Sequence, residues 1–253
     1  MSRGAEPLVW LVGASSGIGA ALVEQLLQSG YRLALSARRA GPLQHMADSA
    51  APGAVGVFPL DITDEAAVTA GVAAIESSMG DINIAIVNAG DYTPMPIAAF
   101  ETGLFRRLVE VNYLGVVNCL AALLPLFMSR CAGQILVTAS IAGYRGLPQA
   151  APYSASKAAT INLAEALRPE LLRQGIQLRL INPGFVDTPL TRKNRFRMPF
   201  LMSPEAAARR IVKQLPRTNF EIAFPRRFVW LMKLMRCLPY SLYFPLVRRV
   251  TGS

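Results

Sequence analysis

The feature that most restricts how this chain can fold is its N-terminal stretch, where an unbroken apolar run meets a glycine-spaced turn and then a helical pattern. Leu8-Val9-Trp10-Leu11-Val12 leads into Gly13-Ala14-Ser15-Ser16-Gly17-Ile18-Gly19, after which Leu22, Leu26 and Leu27 recur at helical spacing. A strand that is apolar on both faces belongs in a parallel sheet covered by helices on each side. Glycines at 13, 17 and 19 allow a tight turn and close backbone approach, so a pyrophosphate could rest against the free amides and positive dipole of the helix start. Taken alone, such a turn is equally a plain connection between strand and helix.

The same alternation continues. Arg32 to Ser36, Val55 to Pro59, Ile82 to Val87, the run Ile135-Leu136-Val137, Ile176 to Ile181 and Glu221 to Phe224 read as further strands. Helical spacing separates them, most clearly from about Glu101 to Met128 through Leu104, Leu108, Val111 and Leu114. The expectation is a single-domain, doubly wound α/β fold over residues 1–224, with a parallel sheet of about seven strands and helices on both faces. A hydrophobic fraction of 52% with 17% charged residues suits strands buried on both faces. Residues 225–253 read as a basic, apolar helical extension with no core of its own.

Cys119, Cys131 and Cys237 are odd in number and lack ligand spacing, and His45 is the only histidine, so neither a disulfide frame nor a metal site is expected. A reducing, cytoplasmic setting follows as the default, and no secretory leader or bilayer-spanning apolar run is expected. Charge is uneven: residues 192–253 hold 14 Lys and Arg against 2 Asp and Glu, although the whole chain is only +10. Those cations alternate with Trp, Phe, Tyr, Leu and Met and form no nucleic-acid motif, so nucleic acid is not an expected partner.

Chemistry concentrates in a few positions. Tyr153 and Lys157 are four residues apart, which on a helix places a phenol and an ammonium on one face. Using tyrosine as an acid or base near neutrality asks for a pKa about 2 to 3 units below its usual ~10, roughly 3 to 4 kcal/mol, and a lysine charge acts in that direction. Ser140 ends the apolar run at 135–137 and so can face the same cleft. Asn112 is a polar residue inside an apolar helix, costly there without a partner. At the end of the second strand, Ala37 leaves room where an acid would select a 2′-hydroxyl, and Arg38 and Arg39 supply charge suited to a 2′-phosphate. Asp61 could accept from an adenine amino group, and Asp64 is placed to cap the next helix. Asn88-Ala89-Gly90 puts small residues at a strand end, Pro183-Gly184 opens a loop through Thr188, and Arg192 to Met202 reads as either a lid or a surface loop.

With these residues in place, the chain from residue 7 to about 190 resembles the short-chain dehydrogenase/reductase family. Gly13-x-x-x-Gly17-x-Gly19, Asp61, Asn88-Ala89-Gly90, Asn112, Ser140, Tyr153-x-x-x-Lys157 and Pro183-Gly184 with Thr188 match its motifs in order and spacing. The resemblance implies a Rossmann fold and NADP(H), with NAD(H) less favoured, bound through Gly13, Ser15, Ser16, Gly17, Ile18, Gly19, Arg38, Arg39, Asp61, Asn88, Ala89, Gly90, Tyr153, Lys157, Pro183, Gly184 and Thr188. It further implies that Tyr153 is the general acid, Ser140 binds the substrate oxygen, Lys157 holds the nicotinamide ribose, and Asn112 positions a water in a proton relay. Two positions depart from the pattern: Val12 stands where Thr is usual, and Ser16 where many NADP-dependent members carry a basic residue.

The expected activity is interconversion of a carbonyl and a secondary alcohol on an apolar small molecule by a homodimer or homotetramer. A catalytically silent nucleotide-binding regulator and an epimerase or dehydratase are the competing readings. In the tail, Phe228, Leu231, Met232, Met235 and Leu238 are expected on one helical face, with Pro239 and Pro245 as breaks. The tail then either packs on the protein or makes a peripheral membrane contact.

Overall fold

Alternate residues of the first strand serve two different cores: Leu8, Trp10 and Val12 join one apolar cluster, Val9 and Leu11 the other. The structure, a computed structural model, describes residues 6–251 apart from Arg195 and Arg197. Its elements are β1 (Leu8–Val12), α1 (Gly17–Gln28), β2 (Arg32–Ser36), α2 (Ala40–Asp48), β3 (Val55–Val57), α3 (Glu65–Met79), β4 (Ile82–Val87), α4 (Thr102–Val109), α5 (Gly115–Arg130), β5 (Gly133–Thr138), α6 (Ala151–Arg173), β6 (Ile176–Pro183), α7 (Pro204–Val212), β7 (Glu221–Phe224), α8 (Arg226–Cys237) and α9 (Tyr240–Thr251).

The seven strands form one sheet in the order β3-β2-β1-β4-β5-β6-β7, and every pairing is parallel. Parallel neighbours require crossovers, and the helices that make them cover both faces. Leu22, Val23 and Leu26 of α1, Leu43 of α2 and Ala207, Ala208 and Ile211 of α7 pack on one face. Val68, Val72 and Ile75 of α3, Val116, Leu120, Leu123 and Phe127 of α5, and Ile161, Ala164 and Leu171 of α6 pack on the other. The order reverses between β1 and β4, so their carboxyl ends open a crevice where such sheets take ligands.

Several boundaries differ from the sequence reading, each for a local reason. β3 stops at Val57, and Pro59, which has no N–H to donate, lies outside it. β6 runs on to Pro183 because Asn182 and Pro183 lie alongside Ala223 and Phe224 of β7. The long helix is continuous from Thr102 to Arg130 but contains a π turn at Glu110–Leu114. Its length and hydropathy would suit a membrane span. Its sheet-facing residues nevertheless sit in the main core, as expected of a core helix.

Arg179, fully buried in β6, was hidden by the hydropathy of its neighbours. Its guanidinium donates to the carbonyls of Asn219 (2.7 Å) and Gln214 (2.9 Å), and burial with nearby Arg168 pulls its pKa down to about 10. In the tail, Phe228, Val229 and Met232 join the main core, with Met235 packed against it. Leu231, expected on that face, instead points outward. Pro239 separates α8 from α9, whereas Pro245 lies inside α9: its missing N–H leaves a carbonyl on the exposed side of a turn.

Candidate active site

The turn from β1 to α1 is held by two close approaches that only glycine permits. Gly13 has φ +84°, and a Cβ there would stand 2.6 Å from the Ala89 nitrogen. A Cβ on Gly19 would stand 2.0 Å from the Gly13 carbonyl oxygen, so α1 can begin directly against the turn only without one. Ser16 caps α1 without a side-chain hydrogen bond, and no acid occupies the first turn. The helix therefore offers unpaired amides and an uncompensated positive end, which is what an anionic pyrophosphate needs.

That helix end borders a cavity of about 830 Å³ over the carboxyl ends of the strands. Ser15, Ser16, Gly17 and Ile18 line it with Gly13, and Arg38, Arg39 and Asp61 line it beyond β2. Arg38 is 77% exposed at its side chain, with Nη1 4.0 Å from Asp61 Oδ2. Asp61 Oδ1 is occupied, accepting from the Thr63 amide (3.0 Å) and hydroxyl (2.9 Å). Asn88, Ala89, Gly90, Pro183, Gly184 and Thr188 complete this part of the wall. Gly19 alone of the expected cofactor residues lies behind it, packed against Gly13. Asn88 also braces the site: its amide reaches the Gly13 carbonyl (3.5 Å) and its oxygen accepts from Thr138 Oγ1 (3.3 Å).

On the same cavity, Ser140, Tyr153 and Lys157 come together. Ser140 caps a short 3₁₀ turn, its Oγ accepting from the Ala142 amide at 3.1 Å and donating to the Pro183 carbonyl at 3.4 Å, a long bond that an oxygen in the cavity could replace. Lys157 is buried; its Nζ donates to the Thr138 carbonyl (2.8 Å) and lies 5.9 Å from the centroid of the Tyr153 ring. Burial pulls the ammonium down from 10.5 to about 8. The Tyr153 phenol departs from the sequence expectation. Burial pushes it up to about 12; a hydrogen bond with Ser140 opposes that rise, and Tyr92 adds to it. Loss of solvent around the phenol dominates, so the lowered pKa expected from the Tyr153–Lys157 spacing is not found in the free protein.

Asn112 stands beside rather than on the cavity wall, fully buried in the π turn. Its Oδ1 accepts from the Asp91 amide (2.8 Å), and its Nδ2 donates to the Asp91 carbonyl (2.9 Å) and Ser156 Oγ (3.0 Å). Its own carbonyl accepts from Thr160 Oγ1 (3.0 Å). The polar residue is thus fully partnered and ties the loop after β4 to α6. A π turn commonly marks such a functional position.

The loops near 91 to 97 and 185 to 202 were expected to shape the substrate end, but sequence reasoning named none of the side chains that form its roof and far wall. Tyr92 packs edge-on against Tyr153 with centroids 4.9 Å apart, and its hydroxyl donates to Asn194 Oδ1 at 2.7 Å. Lys193 Nζ donates to the Tyr92 carbonyl (2.5 Å) and is 3.4 Å from Asp91 Oδ1. The segment expected to be a lid or a loop is therefore pinned across the cavity, its Arg195 and Arg197 lying outside the described residues. Phe185 stacks on Phe228 of α8 (5.5 Å) and meets Phe196 edge-on (5.8 Å), and all three line the cavity. Tyr92 carried a readable signal, an aromatic hydroxyl just past Asn88-Ala89-Gly90; Phe228 carried none, because its approach depends on how α8 folds back.

The sequence pattern described as short chain dehydrogenase matches residues 7–198. An uncharacterized oxidoreductase of Myxococcus xanthus (strain DK1622) is 33% identical over 242 residues, 95% of this chain and 96% of its own. Among solved structures, a short chain dehydrogenase from Burkholderia cenocepacia J2315 in complex with NADP aligns at TM-score 0.83 and 26% identity, covering 95% of this chain and 97% of its own. A short chain dehydrogenase/reductase from Burkholderia phymatum in complex with NAD aligns at TM-score 0.83 and 22% identity, over 93% of this chain and 94% of its own, a likeness of fold.

Proposed function

The chain belongs to the short-chain dehydrogenase family, and from that premise we propose that it is an NADP(H)-dependent oxidoreductase that interconverts a carbonyl and a secondary alcohol on an apolar substrate. The observation that carries this reading is the convergence of Ser140, Tyr153 and Lys157 on one cavity that the open N-terminus of α1 also borders. The residues present fit a dinucleotide: unpaired helix amides for the pyrophosphate, Asp61 and Arg38 toward the adenosine, and Lys157, Tyr153 and Thr188 toward the nicotinamide end. Bound there, the dinucleotide supplies or accepts the hydride. Room at Ala37 and the exposed cations Arg38 and Arg39 favour a 2′-phosphate over a bare ribose.

The protein's own part is to hold the carbonyl oxygen and move a proton. Ser140 donates its hydroxyl to the oxygen and fixes its direction. Tyr153 donates the proton: a phenol pushed up to about 12 is fully protonated at neutral pH, the form a general acid needs in reduction. Lys157, pulled down to about 8, is poised to give a proton near neutrality and so to restore the phenol. Asn112, locked between Asp91 and Ser156, would position a water through which that proton is exchanged with solvent.

Phe185, Phe196, Phe228, Leu147 and Leu190 on the cavity wall support an apolar substrate. Assembly as a homodimer or homotetramer through the Thr102–Arg130 helix and α6 belongs to the same proposal; Val109, Leu114, Met128 and Leu172 are exposed there. A screen of ketones, aldehydes and secondary alcohols with NADPH and NADH, followed at the nicotinamide absorbance band, tests the activity. Turnover of apolar carbonyls with NADPH is expected; absence of any nicotinamide-linked turnover, with dinucleotide binding intact, would favour a regulatory role.

A further inference from the structure

Among the described residues, the outer face of α8 is left uncovered. Phe228, Val229 and Met232 anchor the helix in the core, and the opposite side presents Trp230, Leu231 and Leu234 at 68%, 48% and 64% exposure. Positions 227, 230, 231 and 234 share one helical stripe, so Arg227 borders these apolar residues, with Arg226 one step along. In α9, Leu242 and Phe244 are exposed at 58% and 57%. Six large apolar side chains stand in water if Leu246 is included, on two helices whose inner faces are already satisfied.

Charge decides what can cover them. From Pro225 to Ser253 the chain contains no Asp or Glu. Lys233 is paired with Glu221 of β7, but Arg226, Arg227, Arg236, Arg248 and Arg249 form no ion pair among the described residues. A second copy docking by two-fold symmetry on this face would set arginine against arginine with no acid between them. A nucleic acid would satisfy the arginines but leave the leucines and Trp230 without apolar cover. An anionic bilayer satisfies both, with phosphates for the guanidiniums and the acyl boundary for the apolar stripe.

We propose that the outer face of α8, extended by α9, docks on an anionic lipid surface. The docked helix also forms part of the substrate wall: Phe228 lines the cavity, and Phe200, itself half-exposed, packs against it at 5.9 Å. A lipid surface at α8 thus lies next to the apolar side of the cavity. Docking does not depend on the reaction assigned above, because none of Arg226, Arg227, Trp230, Leu231 or Leu234 lines the cavity.

Removing the tail would take Phe228, Val229 and Met232 out of the core and uncover the residues they pack on, so the test uses exposed positions in the full chain. Trp10 is fully buried and bonded to Ser36, so a change in tryptophan emission on adding lipid reports Trp230. Full-length protein is mixed with phosphatidylglycerol vesicles and, separately, phosphatidylcholine vesicles, and followed by cosedimentation and emission. Expected are pelleting with phosphatidylglycerol at low salt, a blue shift, reversal by salt and little binding to phosphatidylcholine. Two variants, Arg226→Glu with Arg227→Glu and Leu231→Ser with Leu234→Ser, should each bind roughly tenfold or more weakly with circular dichroism unchanged. Failure to pellet at low salt overturns the proposal. So does binding by either variant as tight as that of the wild type, a dimer that Leu231→Ser with Leu234→Ser dissolves in the absence of vesicle binding, or capture by a DNA duplex in preference to vesicles.

Discussion

Replacing Lys157 with Met separates the electrostatic cost of the site from its chemistry. The Lys157 ammonium is buried with one carbonyl partner, and its pKa falls from 10.5 to about 8. That drop corresponds to about 3 kcal/mol of destabilisation of the charged form in the folded protein. Below about pH 8 both folded and unfolded chains carry the proton, so the wild type bears the full cost there. Between about 8 and 10.5 the unfolded chain holds the proton that the folded chain has released, and stability therefore rises with pH across that window. The Met variant has no such group. Paired urea titrations at a series of pH values from neutrality to 10.5 give the difference in unfolding free energy, in which groups common to both proteins cancel. The wild type should gain about 3 kcal/mol on the variant from the bottom of that window to its top. A difference that stays flat with pH would mean that Lys157 titrates normally and is not desolvated. Turnover should fall in the variant at every pH, whatever its stability.

Two further outcomes follow from the site and the surface. Ala37→Asp sets a carboxylate beside Arg38 at the end of β2, and dinucleotide titrations should then reverse a wild-type preference for NADPH over NADH; equal affinity of the unaltered protein for both would remove the phosphate role of Arg38. Light scattering at micromolar concentration should give a dimer or tetramer, while a monomer would count against packing through the Thr102–Arg130 helix and α6.

Much of this was legible because the strands are bounded by residues that stop them. β1, β2, β4 and β7 lie where their apolar runs meet glycine, proline or charge, and Asp64 caps α3 through the Ala67 amide at 2.9 Å as its position suggested. The cofactor turn was readable because glycine is forced at 13 and 19 by backbone contact, a demand that leaves its mark in residue type. Features set by long-range packing left no such mark. The π turn changes the spacing of a helix by a single residue and keeps its hydropathy, so nothing at 110–114 announces it. Tyr153 was expected to have a lowered pKa from its spacing to Lys157, but spacing says nothing about how much solvent is lost around a phenol under Tyr92. On α8 the apolar residues occupy nearly the whole circumference, and composition cannot say which half faces the sheet; the structure turns Phe228 and Met232 inward and Leu231 outward.

The central claim, that Tyr153 is the acid of a carbonyl reduction in this cavity, is tested most directly by Tyr153→Phe. The substitution removes the phenol oxygen and keeps the ring that packs against Tyr92. NADPH binding, read by nicotinamide fluorescence, should survive within a few-fold, because the pyrophosphate and adenosine contacts are untouched. Turnover of any accepted carbonyl should fall by about 10² or more, the scale of a lost general acid. Turnover near that of the wild type, with NADPH still bound, would contradict the account.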